Sequence, residues 1–174
     1  MNQILRPVYR LIIVLLYPIM GSAQEKTIAV NDTFNSVVIY KNIVVYIAQG
    51  ENNEIVFKNE IAANDINFEV IHGVLVIHGK NNFFSHKPPD IITIKVKTIC
   101  AITIIDDAEV STIGQLCNRD LNLKMLGDGT LYVNTSANEV TTFIKGLGKI
   151  EVVGNFKNTL VNKDDYGNIF TTYN

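Results

Sequence analysis

The chain has 174 residues, is 47% hydrophobic, and carries 15 Lys and Arg against 17 Asp and Glu, with two Cys and no Trp. That length suits one domain with a sizeable core. A slightly acidic balance, without a basic run interleaved with aromatics, excludes nucleic acid and anionic membrane surfaces as partners held by bulk charge.

Residues 1–23 read as an export signal. Arg6 and Arg10 precede the apolar run Leu11 to Met20, and Gly21-Ser22-Ala23 supplies the small residues of a cleavage site, so the mature chain is expected to begin at Gln24. The apolar run contains Pro18 and falls short of the roughly 20 residues that a membrane span requires. Removing the two Arg leaves 13 basic against 17 acidic residues, a net charge of about −4. No later stretch is long and apolar enough to span a membrane. Residues 24–174 are therefore expected to form a single exported domain, in the periplasm or at the cell surface in association with the outer membrane.

From Phe34 to Ile77 the chain alternates apolar and polar residues with period two, the signature of strands buried on one face. Ser36-Val37-Val38-Ile39 leads into Ile43-Val44-Val45-Tyr46-Ile47, and Gly50 breaks the run. Ile55-Val56-Phe57 follows, then the polar stretch Lys58 to Asp65. Phe68 to Ile77 reads as two strands with a bend at His72-Gly73. Gly79 to Asp90 holds Pro88 and Pro89 and reads as an exposed loop; Ile91 to Val96 returns to strand. No stripe of helical period is visible after the signal.

From Cys100 onward one short pattern recurs: Asp106-Asp107-Ala108-Glu109-Val110, Gly127-Asp128-Gly129-Thr130-Leu131, Gly146-Leu147-Gly148-Lys149-Ile150 and Asp165-Tyr166-Gly167-Asn168-Ile169. The step is 21 residues from Asp106 to Gly127, 19 from Gly127 to Gly146 and 19 from Gly146 to Asp165. Alternating apolar residues flank each segment, Cys100/Ile102/Ile104 before the first and Val110/Thr112 after it. A near-constant step with a strand on each side of a glycine corner predicts stacked rungs whose inward residues form columns such as Val110, Leu131, Ile150 and Ile169. The expected fold is all-β: a single-stranded β-helix with rungs of about 19–21 residues in the C-terminal half and longer, irregular rungs before it. Gly73, Gly127, Gly129, Gly146, Gly148 and Gly167 are the expected corner residues. In the last rung Thr159 and Lys163 stand in inward columns, as in a polar cap, and its unpaired edge is an expected site for pairing with a second copy.

An exported chain with Phe34-x-x-Val37, the strand Ile43 to Ile47, a following Gly50, the strand His72 to Ile77 and then Gly/Asp-rich rungs resembles the bacterial family of auto-transporter adhesins with a head GIN domain. The likeness runs from about Ile28 to Ile169. It implies a right-handed winding, a place in the cell envelope, and no established catalytic residues. Asp106 and Asp165 stand where the middle rungs have glycine, and Ala108 replaces another glycine.

Two functions of different class follow. The first is a non-catalytic binding or adhesion module for a glycan or an envelope protein, with Tyr40, Tyr46, Phe83 and Phe84 as rings that stack on sugars. The second is a carbohydrate-active enzyme using Asp106, Asp107 and Asp128, since hydrolysis needs two carboxyls about 5 to 10 Å apart. Turn residues bonding their own backbone account for the same acids without chemistry. His72, His78 and His86 lack metal-ligand spacing, and no cofactor motif is present. Cys100 and Cys117 lie 17 positions apart, near one rung, so either a disulfide or a thiol at Cys100 facing inward as a small hydrophobe fits.

Overall fold

A computed structural model of the chain describes residues 25–58, 60–79 and 89–173, without the side chains of 60–62. The expected export signal at 1–23 and the aromatics Phe83 and Phe84 lie outside the described residues.

The regular structure of the described chain is almost wholly strand: β1 (Lys26–Ala29), β2 (Ser36–Tyr40), β3 (Ile43–Gln49), β4 (Glu54–Phe57), β5 (Ile66–Ile71), β6 (Val74–Gly79), β7 (Asp90–Val96), β8 (Ala101–Ile105), β9 (Glu109–Ile113), β10 (Leu116–Cys117), β11 (Asp120–Leu126), β12 (Thr130–Lys145), β13 (Lys149–Lys163) and β14 (Asn168–Tyr173). They form one open, curled sheet of 14 strands. The long strands β12 and β13 each have two arms, bending at Asn138 and Lys157, where the ladder between them is interrupted. These bends divide the sheet into two wings. One wing runs β1, β4, β7, β3, β9 and then the first arms of β12 and β13, ending on β14. The other runs β5, β6, β2, β8, β11 and then the second arms of β12 and β13.

Both wings turn their apolar face toward a single core. In the first wing Phe57, Ile92, Val45, Val110, Leu131, Ile150 and Ile169 are successive partners across the ladders, and all but Ile169 are buried. In the second, Ile77, Ile39, Ile104, Met125 and Ile144 make the matching column, each 0% exposed, and Lys163 takes its last place. Burying one such side chain is worth about 1.5–3 kcal/mol, so the columns are the main source of stability. From Ala101 onward the expected columns form: all these ladders are parallel, and β12 and β13 run side by side at a 19-residue offset, from Thr130↔Lys149 to Ile144↔Lys163.

The N-terminal half corrects the expected fold, because it is not a coil of longer rungs wound in chain order. The layer β2–β3 is inserted between the layer β6–β7 and the layer β8–β9, with Val37 partnering Leu75 on one side and Ile102 on the other. Insertion covers both edges of β2 and β3 with apolar neighbours, whereas an end position would cover one. The outer strands are antiparallel: β5 on β6 through a two-residue turn at His72-Gly73, β1 on β4, and β4 on β7. His72 and Gly73 both have positive φ, 50° and 78°, as a tight hairpin requires. A short helix, α1 (Glu60–Asp65), occupies the polar stretch before β5. Part of Gly114 to Asp120 joins the sheet as β10, which pairs with Thr135 and Ser136 and buries Leu116.

Cys100 requires a second correction. Ile99 is buried, Cys100 is exposed and Ile102 is buried, so the alternation slips by one residue at the entry to β8 and turns the thiol outward.

Candidate functional site

At the first corner the chain passes from the second wing to the first, and backbone bonds there climb from layer to layer. Asp128 N–H donates to the Asp106 carbonyl (3.0 Å), Lys149 N–H to the Gly129 carbonyl (3.0 Å) and Asn168 N–H to the Gly148 carbonyl (3.0 Å). Lys41, Asp106, Gly127, Gly146 and Asp165 occupy this corner with positive φ. Gly127 is required there, because a Cβ would overlap the Asp106 carbonyl. Gly129, Gly148 and Gly167 are buried behind it, and a Cβ on Gly148 would meet the sulfur of Met125.

The corner acids belong to this ladder. Asp106, Asp107 and Asp128 are exposed, and Asp128 Oδ1 accepts the backbone N–H of Leu147 at 2.9 Å. Among the described residues no three His, Cys, Asp or Glu side chains gather where a metal ion could sit.

The structure separates the aromatic candidates. Tyr40 stacks on His78, its ladder partner, with ring centroids 4.4 Å apart and planes 19° apart. Tyr46 stands 37% exposed on the outer face of β3. Cys100 and Cys117 are free and exposed, and Gln49 holds the strand at Cys117 by accepting its N–H at 2.8 Å.

A more convergent site lies at the second corner, where the first wing returns to the second. Asn118, Ser136, Ala137, Asn138, Asn155, Phe156, Lys157 and Tyr173 line an open groove of about 380 Å³. Local structure fixes its members. Asn118 N–H donates to the Ser136 carbonyl at 2.9 Å and Asn138 N–H to the Arg119 carbonyl at 2.7 Å. With its amide turned so that the nitrogen takes the place of the oxygen, Asn118 donates to the carbonyls of Ile99 and Cys117, at 2.8 and 3.1 Å. Phe156 is 7% exposed and packs against Tyr173, with centroids 4.4 Å apart. The Tyr173 hydroxyl lies 3.1 Å from Thr159 Oγ1, while 59% of the residue remains open to solvent. One exposed ring, three carboxamides and a hydroxyl thus share one concave surface.

Sequence reasoning passed over this corner. The available signal was the same 19-residue step, which aligns Thr135, Gly154 and Tyr173. Gly154 has φ 131°, and a Cβ there would overlap the Thr135 carbonyl, so this glycine is what lets the layers close up beside the groove.

No helix of the described residues is long and apolar enough to cross a membrane. The family model described as "putative auto-transporter adhesin, head GIN domain" matches residues 33–171. Among solved structures, a "putative cell adhesion protein" from Clostridium sporogenes ATCC 15579 is similar at a TM-score of 0.54 and 14% identity, covering 87% of this chain and 99% of that one. A "putative adhesin" from Bacteroides fragilis NCTC 9343 is similar at a TM-score of 0.50 and 14% identity, covering 85% and 96%. At such identity the likeness shows the fold alone. Comparison with curated proteins finds no match. The family model spans the interleaved layers, the regular layers and both corners, and the chain belongs to the head GIN domain family that this model describes.

Proposed function

We propose that the chain is an exported, non-catalytic binding module of the bacterial cell envelope, and that the second-corner groove takes a glycan. The observation that carries this reading is the half-open ring of Tyr173, braced on Phe156, with Asn118, Asn138, Asn155 and Ser136 around it. A sugar offers an apolar C–H face and a rim of hydroxyls. The ring suits the first, and carboxamides, which donate and accept, suit the second. Family membership supports a role in adhesion, and the signal-like residues 1–23 support export to the periplasm or cell surface. We read the layers from Ala101 onward as turns of a right-handed β-helix, supported by their parallel ladders and the 19-residue offset. The enzymatic alternative finds less support, because Asp128 is bonded within the corner ladder and Asp106 and Asp107 face solvent.

A glycan array with the purified protein tests the proposal. Tyr173→Ala and Asn155→Ala should each lower affinity for the bound glycan by about fivefold, since a lost stacking contact or a lost hydrogen bond is worth about 1 kcal/mol. Tyr40→Ala, on the opposite wing, should leave binding unchanged. Absence of any bound glycan, or binding indifferent to both groove substitutions, would overturn the assignment.

A further inference from the structure

The two ends of the sheet are finished differently. At the N-terminal end the layers are closed by antiparallel strands, and β1 there is only four residues long and begins with Lys26. Short, charged edge strands discourage pairing with another chain. The helix α1 stands beside these strands, and Ala63 packs on the core there. At the other end the second arm of β13, residues 158–163, pairs with β12 on one side and with no strand of the described residues on the other. Its polar backbone groups face outward along that edge.

The same edge exposes the core. Leu75, Val37, Ile102, Leu123, Thr142 and Val161 form one inward column; the first five are at most 1% exposed and Val161 is 46% exposed. Leu160 (56%) and Phe170 (51%) lie on the same terminal layer. Thr159 and Lys163 supply only part of the polar cap expected there. Lys157 precedes the arm, and Lys163, its last residue, is followed by the two acids Asp164 and Asp165, which leaves that end net acidic.

We propose that two copies of the chain join open end to open end, with residues 158–163 of one running antiparallel to the same residues of the other. A two-fold axis normal to the wing requires opposed residues to face the same side. Centring the axis on Val161 sets each Val161 against its copy, Asn158 against Asp164, and Lys157 against Asp165. The apolar centre is then covered, and each cation meets the acidic end of the other chain. Asp164 pairs with Lys145 of its own chain at 3.2 Å, which leaves Asp165 to meet Lys157 of the other copy. The contact sets one edge against the same edge of the other copy, so it is self-complementary and closes at two copies instead of propagating into a filament.

Sedimentation equilibrium of the purified protein across the micromolar range tests this. The expected result is a reversible shift from one to two chain masses. Val161→Lys should hold the protein at one chain mass with an unchanged circular dichroism spectrum. Asp165→Lys should weaken pairing by about tenfold, and adding Lys157→Glu should restore it. A single chain mass throughout would overturn the proposal and leave the edge to a different partner. Assemblies larger than two, or a dimer indifferent to all of these substitutions, would overturn it as well. The readout is mass, so it stands apart from glycan binding.

Discussion

Asp128 Oδ1 accepts the backbone N–H of Leu147 at 2.9 Å, tying one turn of the first corner to the turn of the next layer. Asp128→Ala removes the acceptor and should cost about 0.5–1.5 kcal/mol of stability. Asp128→Asn keeps an acceptor oxygen at that place and should cost less. Urea unfolding of the two variants makes the comparison; equal losses would show that the charge, not the bond, is what matters.

Gly154→Ala places a side chain at φ 131° and onto the Thr135 carbonyl, and should destabilise by more than about 1 kcal/mol. Gly50→Ala is the control, since its Cβ would meet only Lys95 Cβ at 3.7 Å, an ordinary contact, and its change should stay within about 0.5 kcal/mol. Thermal unfolding of both proteins separates a conformational requirement from a general intolerance of bulk.

Leu123 and Val161 stand in one inward column at 1% and 46% exposure. Leu123→Ala should cost about 2–5 kcal/mol, as truncations in a closed core do. Val161→Ala should cost less than about 1 kcal/mol when measured at submicromolar concentration, where chain pairing does not contribute. Similar losses at the two positions would mean that the terminal layer is covered within the single chain.

Cys100 and Cys117 are both free and exposed. The native protein, without reductant or denaturant, should therefore react with two equivalents of an aromatic disulfide reagent. Reaction only after reduction would show that the two are bridged.

The layers after Ala101 were legible because their columns repeat along the sequence itself: a fixed step puts Val110, Leu131, Ile150 and Ile169 in line without knowledge of the rest of the chain. The insertion of β2–β3 was not legible. Ser36 pairs with Ala101 as well as with Val74, and apolar alternation records that a strand has one buried face without recording its neighbours. Cys100 was misplaced because one extra residue reverses a period-two pattern, and nothing local marks the slip between Ile99 and Ala101. The groove escaped for a different reason. Asn118, Asn155 and Tyr173 are far apart in sequence and ordinary as surface residues; only stacking of the second corners brings them together.

The insertion of β2 and β3 between later strands also sets an order of assembly. A chain emerging from its amino end cannot complete its middle layer from what has already appeared. Strands 36–49 wait for 74–96 on one side and for 101–113 on the other, so roughly the first two-thirds of the protein must be present before the centre of the sheet closes. Each layer after that finds a finished edge and can add in turn, with little loop to close. In synthesis from the amino end the slow step then falls near residue 113, and an interruption before that point leaves unpaired strands for chaperones to shield.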